Sequence, residues 1–154
     1  MPLEIERKFL VADMSWKTNA QPPVRMCQKY VSLADGVPGV IRFRIAGEKA
    51  WITLKTPQKN FVRGEFEYEI PVEDAEALMK NFCPGGSVEK LRYSVVYQGK
   101  EWVIDEFLGC YSGLYLAEIE LNSASEEFSL PPWIGEEVSG NFRYSNSYLA
   151  ENAK

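Results

Sequence analysis

The sequence predicts a mainly β (α+β) fold, an eight-stranded antiparallel β-barrel forming a tunnel with a few covering helices. Three observations lead there. Short segments alternate polar and apolar residues with period two, the mark of antiparallel strands. Turn residues separate them, as at Asp35-Gly36-Val37-Pro38-Gly39, Ala46-Gly47-Glu48-Lys49, Gln98-Gly99-Lys100 and Leu108-Gly109. The polar positions are also dominated by ionised side chains rather than by Thr, Ser, Gln and Asn.

Strands are expected at about 3–11, 25–34, 40–46, 50–55, 63–70, 87–97, 101–107 and 114–121. Residues two apart share a face, so Glu4, Glu6 and Lys8 oppose Ile5 and Phe9 in the first strand. Arg42 and Arg44 oppose Ile41, Phe43 and Ile45 in the third. Thr53 and Lys55 follow in the fourth, and Arg63, Glu65, Glu67 and Glu69 in the fifth. Lys90 and Arg92 mark the sixth, Asp105 the seventh, and Glu118 and Glu120 the eighth. One helix is expected at about 72–82, where Glu73 and Asp74 suit the positive N-terminal end and Ala75, Leu78, Met79 and Phe82 form an apolar stripe. Pro84 and Gly85-Gly86 end it. A second helical stretch is expected near 144–152, after the loop Pro131-Pro132-Trp133.

The 154 residues fit a single domain, 1–154, with no internal repeat and no linker. No apolar run reaches the roughly 18 residues that cross a bilayer, and the start MPLEIERKFL is charged too early for a secretory signal. Cys27, Cys83 and Cys110 are odd in number and widely spaced, as befits free thiols in a reducing cytoplasm. A net charge of −5 argues against a nucleic-acid partner. Histidine is absent, which removes Ser-His-Asp and Cys-His nucleophile systems, phosphohistidine chemistry and most zinc sites.

An antiparallel sheet with one wet face would give the same alternation. Two features favour a closed, charged interior instead. The pattern recurs on most of the strands, and the signs are segregated: the third, fourth and sixth carry only cations, the eighth only carboxylates. Burying so many charges costs several kcal/mol for each unpaired ion, so such an interior makes sense as a hydrated tunnel for a highly charged guest. Lys8, Arg42, Arg44, Lys55, Lys90 and Arg92 match several phosphates, which arginines grip bidentately. Glu4, Glu6, Glu118 and Glu120 would repel phosphate unless they hold Mg²⁺ or Mn²⁺. Cationic clamp and carboxylate-held metal together describe phosphoryl transfer.

The residues carrying this chemistry resemble the CYTH superfamily, the triphosphate tunnel metalloenzymes. Glu4-Ile5-Glu6-Arg7-Lys8 matches the ExExK signature. Arg42-Phe43-Arg44, Thr53-Leu54-Lys55, Arg63 with Glu65 and Glu67, Lys90-Leu91-Arg92, Glu118-Ile119-Glu120 and Arg143-Tyr144-Ser145-Asn146 follow in the family's order. The resemblance implies that Glu4, Glu6 and Glu120 ligate the metal, with Glu118 helping to hold a second metal or the attacking water. It implies a triphosphate clamp of Lys8, Arg42, Arg44, Lys55, Lys90 and Arg92, reached from the C-terminal segment by Arg143. Glu65, Glu67 and Asp105 are supporting tunnel carboxylates. The short chain is most similar to bacterial inorganic triphosphatases, so a small-molecule triphosphate is the expected partner. A class IV adenylyl cyclase, or a polyphosphate- or nucleotide-binding module without catalysis, would share the same lining.

Overall fold

A strand that alternates charged and apolar side chains must give each face its own environment, and closing the sheet on itself does so. The computed structural model describes residues 1–154. Strands β1 (Leu3–Val11), β2 (Val24–Tyr30), β3 (Val40–Ala46), β4 (Lys49–Lys55) and β5 (Val62–Ile70) precede helix α1 (Val72–Phe82). Strands β6 (Val88–Tyr97), β7 (Lys100–Phe107), β8 (Tyr115–Glu120) and β9 (Ile134–Glu137) follow, then helix α2 (Asn146–Glu151). The sheet runs β5-β4-β3-β2-β6-β7-β8-β1-β9 and closes by pairing β5 with β1. Every pairing is antiparallel.

The eight expected strands form the barrel, with differences at their ends. β2 stops at Tyr30, short of the expected 34. Its partner β6 begins opposite Gln28, so the chain beyond Tyr30 has lost one paired edge. Helix α2 begins at Asn146 instead of 144 because Ser145 is its N-cap, its Oγ accepting from the Tyr148 backbone N–H at 3.2 Å. Strand β9 was not expected, nor were the 3₁₀ turns at Ser15–Asn19, Gly109–Tyr111 and Phe142–Tyr144.

β9 solves a problem at the seam. Leu3, Glu4 and Ile5 of β1 pair with Gly64, Arg63 and Val62 of β5, after which the two strands part. Further along the same strand, Phe9 and Val11 pair with Glu137 and Ile134 of β9. Arg7 clamps that addition, donating from Nε to Glu137 Oε2 at 2.7 Å, with Phe61 and Phe128 against its guanidinium. Gly64 fits the closure because a Cβ there would meet the Met1 sulfur at 2.7 Å and Thr56 Cγ2 at 3.0 Å. The β6–β7 hairpin turns through Gln98 and Gly99, both at positive φ (48° and 77°), which suits the strand twist.

Three apolar clusters hold the barrel. Outside β1, β6, β7 and β8, Phe9, Tyr93, Trp102, Ile104 and Ile119 are covered by Trp16 and Trp133. Outside β3 and β4, Phe43 and Ile52 pack under Leu78, Met79 and Cys83 of α1 and its end. Each fully buried large side chain contributes roughly 1.5–3 kcal/mol. The third cluster was not foreseen. Val88, Phe107 and Leu116 pack with Val138, Leu149 and Ala150 of the C-terminal segment, and Leu10 and Tyr30 join them. The charged stretch therefore ends against an apolar plug. No helix is long and apolar enough to cross a membrane.

Candidate active site

Strand pairing converts the alternation into a lining. Glu6 stands opposite Glu120 and Lys8 opposite Glu118 across β1 and β8. Arg42 faces Thr53, Thr53 faces Glu67, Lys55 faces Glu65, and Arg92 faces Asp105. These strands surround a cavity of about 530 Å³. Its wall includes Glu4, Glu6, Lys8, Arg42, Arg44, Lys55, Glu65, Glu67, Lys90, Arg92, Glu118 and Glu120. Tyr30, Arg63, Glu101 and Asn146 join them.

Two expected members stand elsewhere. Asp105 does not line the cavity: 1% exposed, it stands opposite Arg92 and holds Lys90 and Arg92 from beneath, the supporting part expected of it. Arg143 does not reach the cavity: the 3₁₀ turn at Phe142–Tyr144 leaves its side chain exposed and presents Phe142, Ser145 and Asn146 instead. Gln28 and Tyr30 fall on the polar face of their strand, which allows a tunnel-facing place or a plain polar strand position, and Asn146 closes the tail motif Arg143-Tyr144-Ser145-Asn146 without a role of its own in the sequence.

The cations differ in how far their charge is already answered. Asp105 accepts from Lys90 Nζ at 2.8 Å and from Arg92 Nε and Nη2 at 2.8 and 2.9 Å. Lys55 Nζ lies 3.0 Å from both Glu4 oxygens and 3.3 Å from Glu65. Arg42 Nη2 donates to Thr53 Oγ1 at 3.1 Å and Glu67 Oε2 at 3.2 Å, while its buried Nε has no partner. Lys8, Arg44 and Arg63 make no ion pair within 4.0 Å. Lys8 Nζ rests on the Tyr144 carbonyl at 3.1 Å, and Arg44 Nε donates to Gln28 Oε1 at 2.8 Å.

Proton affinities follow this crowding. Burial first, then the neighbouring Glu118 and Glu4, pushes the Glu6 carboxyl well above the usual range. Burial also opposes ionisation of Glu118, yet the hydrogen bond from Glu6 and the charges of Lys8, Arg92 and Lys90 hold it well below. Burial and Glu4 push Glu65 up to about 7. Burial brings the Lys90 ammonium down to about 7 against the pull of Asp105, with Arg92 and Arg44 assisting. Burial, Arg42 and Arg92 bring Arg44 down to about 10. Cations and carboxylates interleave, Lys55 with Glu4 and Glu65 and Arg92 with Asp105, while Glu4, Glu6, Glu118 and Glu120 gather on the adjacent strands β1 and β8 as a carboxylate side.

The carboxylate side fits a hard divalent cation. Its donors are all carboxylate oxygens on the adjacent strands β1 and β8, and burial with the neighbouring Glu118 and Glu4 raises the proton affinity of Glu6, which a bound cation would offset. Their side chains do not converge on one point: no three acidic groups gather as a ligand cluster. Glu4 instead turns to Lys55, and Glu6 pairs with Glu118.

Residues 2–150 match the sequence model of the CYTH domain. The chain belongs to the CYTH domain family. An inorganic triphosphatase of Acetivibrio thermocellus is similar to this CYTH chain, 40% identical over 152 residues, covering 99% of this chain and 96% of that one. An inorganic triphosphatase of Nitrosomonas europaea is 38% identical over 151 residues, 96% of each. A crystal structure of an inorganic triphosphatase superposes with a TM-score of 0.69 at 37% identity, over 99% of this chain and 97% of that one. A Pyrococcus horikoshii protein shares the CYTH barrel alone, at TM-score 0.61 and 23% identity over 78% of this chain and 79% of that one.

Proposed function

We propose that this chain hydrolyses a phosphoanhydride bond of a linear triphosphate, inorganic tripolyphosphate foremost, with Mg²⁺ or Mn²⁺. The observation that carries this reading is the cavity wall of seven cationic and seven acidic side chains, in which Lys8, Arg44 and Arg63 carry unpaired charge. The two curated relatives named as inorganic triphosphatases, at 40% and 38% identity, support it. Three free cysteines and a net charge of −5 favour a cytoplasmic enzyme without a nucleic-acid partner.

Lys8, Arg44 and Arg63 would take the anionic oxygens first, since no carboxylate must be displaced from them. Arg42 Nε adds a buried donor whose missing partner a phosphate oxygen would supply. Lys55 and Arg92 hold carboxylates and phosphates together, fixing the chain of phosphorus atoms relative to Glu118. Glu4, Glu6 and Glu120 would hold the divalent cation. When bound, it neutralises charge on the oxygens of the breaking bond. Glu118, kept ionised by its hydrogen bond from Glu6 and by Lys8, Arg92 and Lys90, is the group suited to accept a hydrogen bond from an attacking water and so orient it, the water's proton leaving with the phosphate product. Water adds to a terminal phosphorus as its bridging P–O bond breaks, giving orthophosphate and pyrophosphate. No covalent intermediate is needed.

One panel assay tests this reading: phosphate release from tripolyphosphate, ATP, GTP and thiamine triphosphate, each with Mg²⁺ or Mn²⁺. Fastest release from tripolyphosphate is expected. Cyclic AMP with pyrophosphate from ATP, or binding without turnover of any substrate, would overturn it.

A further inference from the structure

The cavity wall contains a contrast that charge alone does not explain. Arg42, Arg92, Lys55 and Lys90 are each steadied by a carboxylate, which holds the side chain but cancels part of its charge. Arg44 is steadied by an amide. Gln28 is fully buried at 0% exposure, outside the cavity wall, and its Oε1 accepts from Arg44 Nε at 2.8 Å. The direction is fixed chemically: a guanidinium can only donate, so the amide oxygen must face it.

The other end of the same amide completes the relation. Gln28 Nε2 donates to the Tyr30 hydroxyl oxygen at 3.0 Å. A phenol that accepts through its oxygen keeps its own hydrogen free, and Tyr30 lines the cavity. One buried amide thus presents two groups as donors, a guanidinium with undiminished charge and a hydroxyl with its hydrogen available. The β2–β3 pairing enforces this, because Gln28 stands opposite Arg44 and Tyr30 opposite Arg42.

We infer that Gln28 is a positioning residue, a neutral buried amide that orients Arg44 and Tyr30 as donors toward the anionic substrate without cancelling the arginine's charge. A glutamate in that place would be nearly isosteric and would hold Arg44 at least as firmly. It would answer the charge, however, and as an acceptor it would draw the Tyr30 hydrogen away from the cavity. A methionine would fill the space and leave the charge intact but unoriented. The inference rests on the triphosphate reading of the cavity.

The test is calorimetric titration of tripolyphosphate into metal-free wild type, Gln28→Glu and Gln28→Met, with thermal unfolding as the check on folding. Hydrolysis in Mg²⁺ is measured separately. Gln28→Glu is expected to weaken tripolyphosphate binding by more than about tenfold, and Gln28→Met by clearly less, since hydrogen bonds to charged groups carry that order of free energy. In turnover the loss should fall on KM more than on kcat. Equal weakening by both variants would mean simple packing, and no weakening by Gln28→Glu would mean no role; either overturns the inference. Should Gln28→Glu fail to fold, a cycle of Gln28→Met with Arg44→Lys decides. Non-additive losses are expected, and additive losses overturn the inference. Wild type that binds tripolyphosphate without hydrolysing it would refute the proposed activity and leave this binding comparison intact.

Discussion

Glu6 on β1 and Glu120 on β8 face each other directly across an antiparallel pair. Like charges in that register destabilise a sheet, and here the cost is concentrated where Glu4 and Glu118 add to it. Burial, Glu118 and Glu4 push the Glu6 carboxyl well above its usual range. A cation held there, as proposed, would relieve this repulsion.

Glu6→Gln should then separate function from stability. Mg²⁺-dependent phosphate release is expected to fall by more than the roughly 10–100-fold that outer-shell changes cost at metal sites. Thermal unfolding without metal should be unchanged or raised, because a carboxyl whose ionisation burial and Glu118 oppose becomes a neutral amide. Full Mg²⁺-dependent turnover in this variant would remove Glu6 from the cation site.

Lys90 gives a pH signature. Its folded affinity for a proton is lowered to about 7, while an unfolded lysine titrates near ~10.4. Between those values the unfolded chain binds more protons, so this residue's contribution makes stability rise with pH, by up to about 1.4 kcal/mol per unit. Denaturant titrations from pH 7.5 to 9.5, comparing wild type with Lys90→Met, should show the wild-type slope more positive. Identical slopes would show that Lys90 stays charged in the folded state.

Arg7→Lys should loosen the seam without touching the cavity. The bidentate grip on Glu137 becomes at best a single contact, and the planar stacking on Phe61 and Phe128 is lost. A loss of about 1–3 kcal/mol is expected. Amide exchange should speed up at Val138, whose N–H bonds to the Lys8 carbonyl at 2.8 Å. Unaltered exchange there would mean that β9 is held by its backbone alone.

Arg143→Ala tests the placement of the tail. With its side chain exposed and outside the cavity wall, KM for tripolyphosphate is expected to stay within about twofold of wild type, as for surface changes remote from a site. Arg44→Ala, by contrast, should raise it more than tenfold, since a charge-assisted contact is removed. A large KM effect at Arg143 would mean that the tail rearranges over bound substrate.

The alternation in Glu4-Ile5-Glu6-Arg7-Lys8 or Arg42-Phe43-Arg44 fixed which side chains share a face, because a strand's period of two leaves no other choice. It also revealed the sorting of charge by strand, and with it a charged interior. What no local pattern carried was determined by distant partners. β9 is a strand because it pairs with β1, more than 120 positions away, beside a seam that β5 leaves open, with Glu137 meeting Arg7 there. The apolar plug exists because Leu149 arrives from the far end of the chain onto Phe107 and Leu116, and Arg143 lies exposed in the 3₁₀ turn that precedes it. Sequence specified the chemistry of each face, since that is a local property of the backbone. Tertiary structure decided which charges remain unanswered, since a charge is cancelled only by what folding brings within reach.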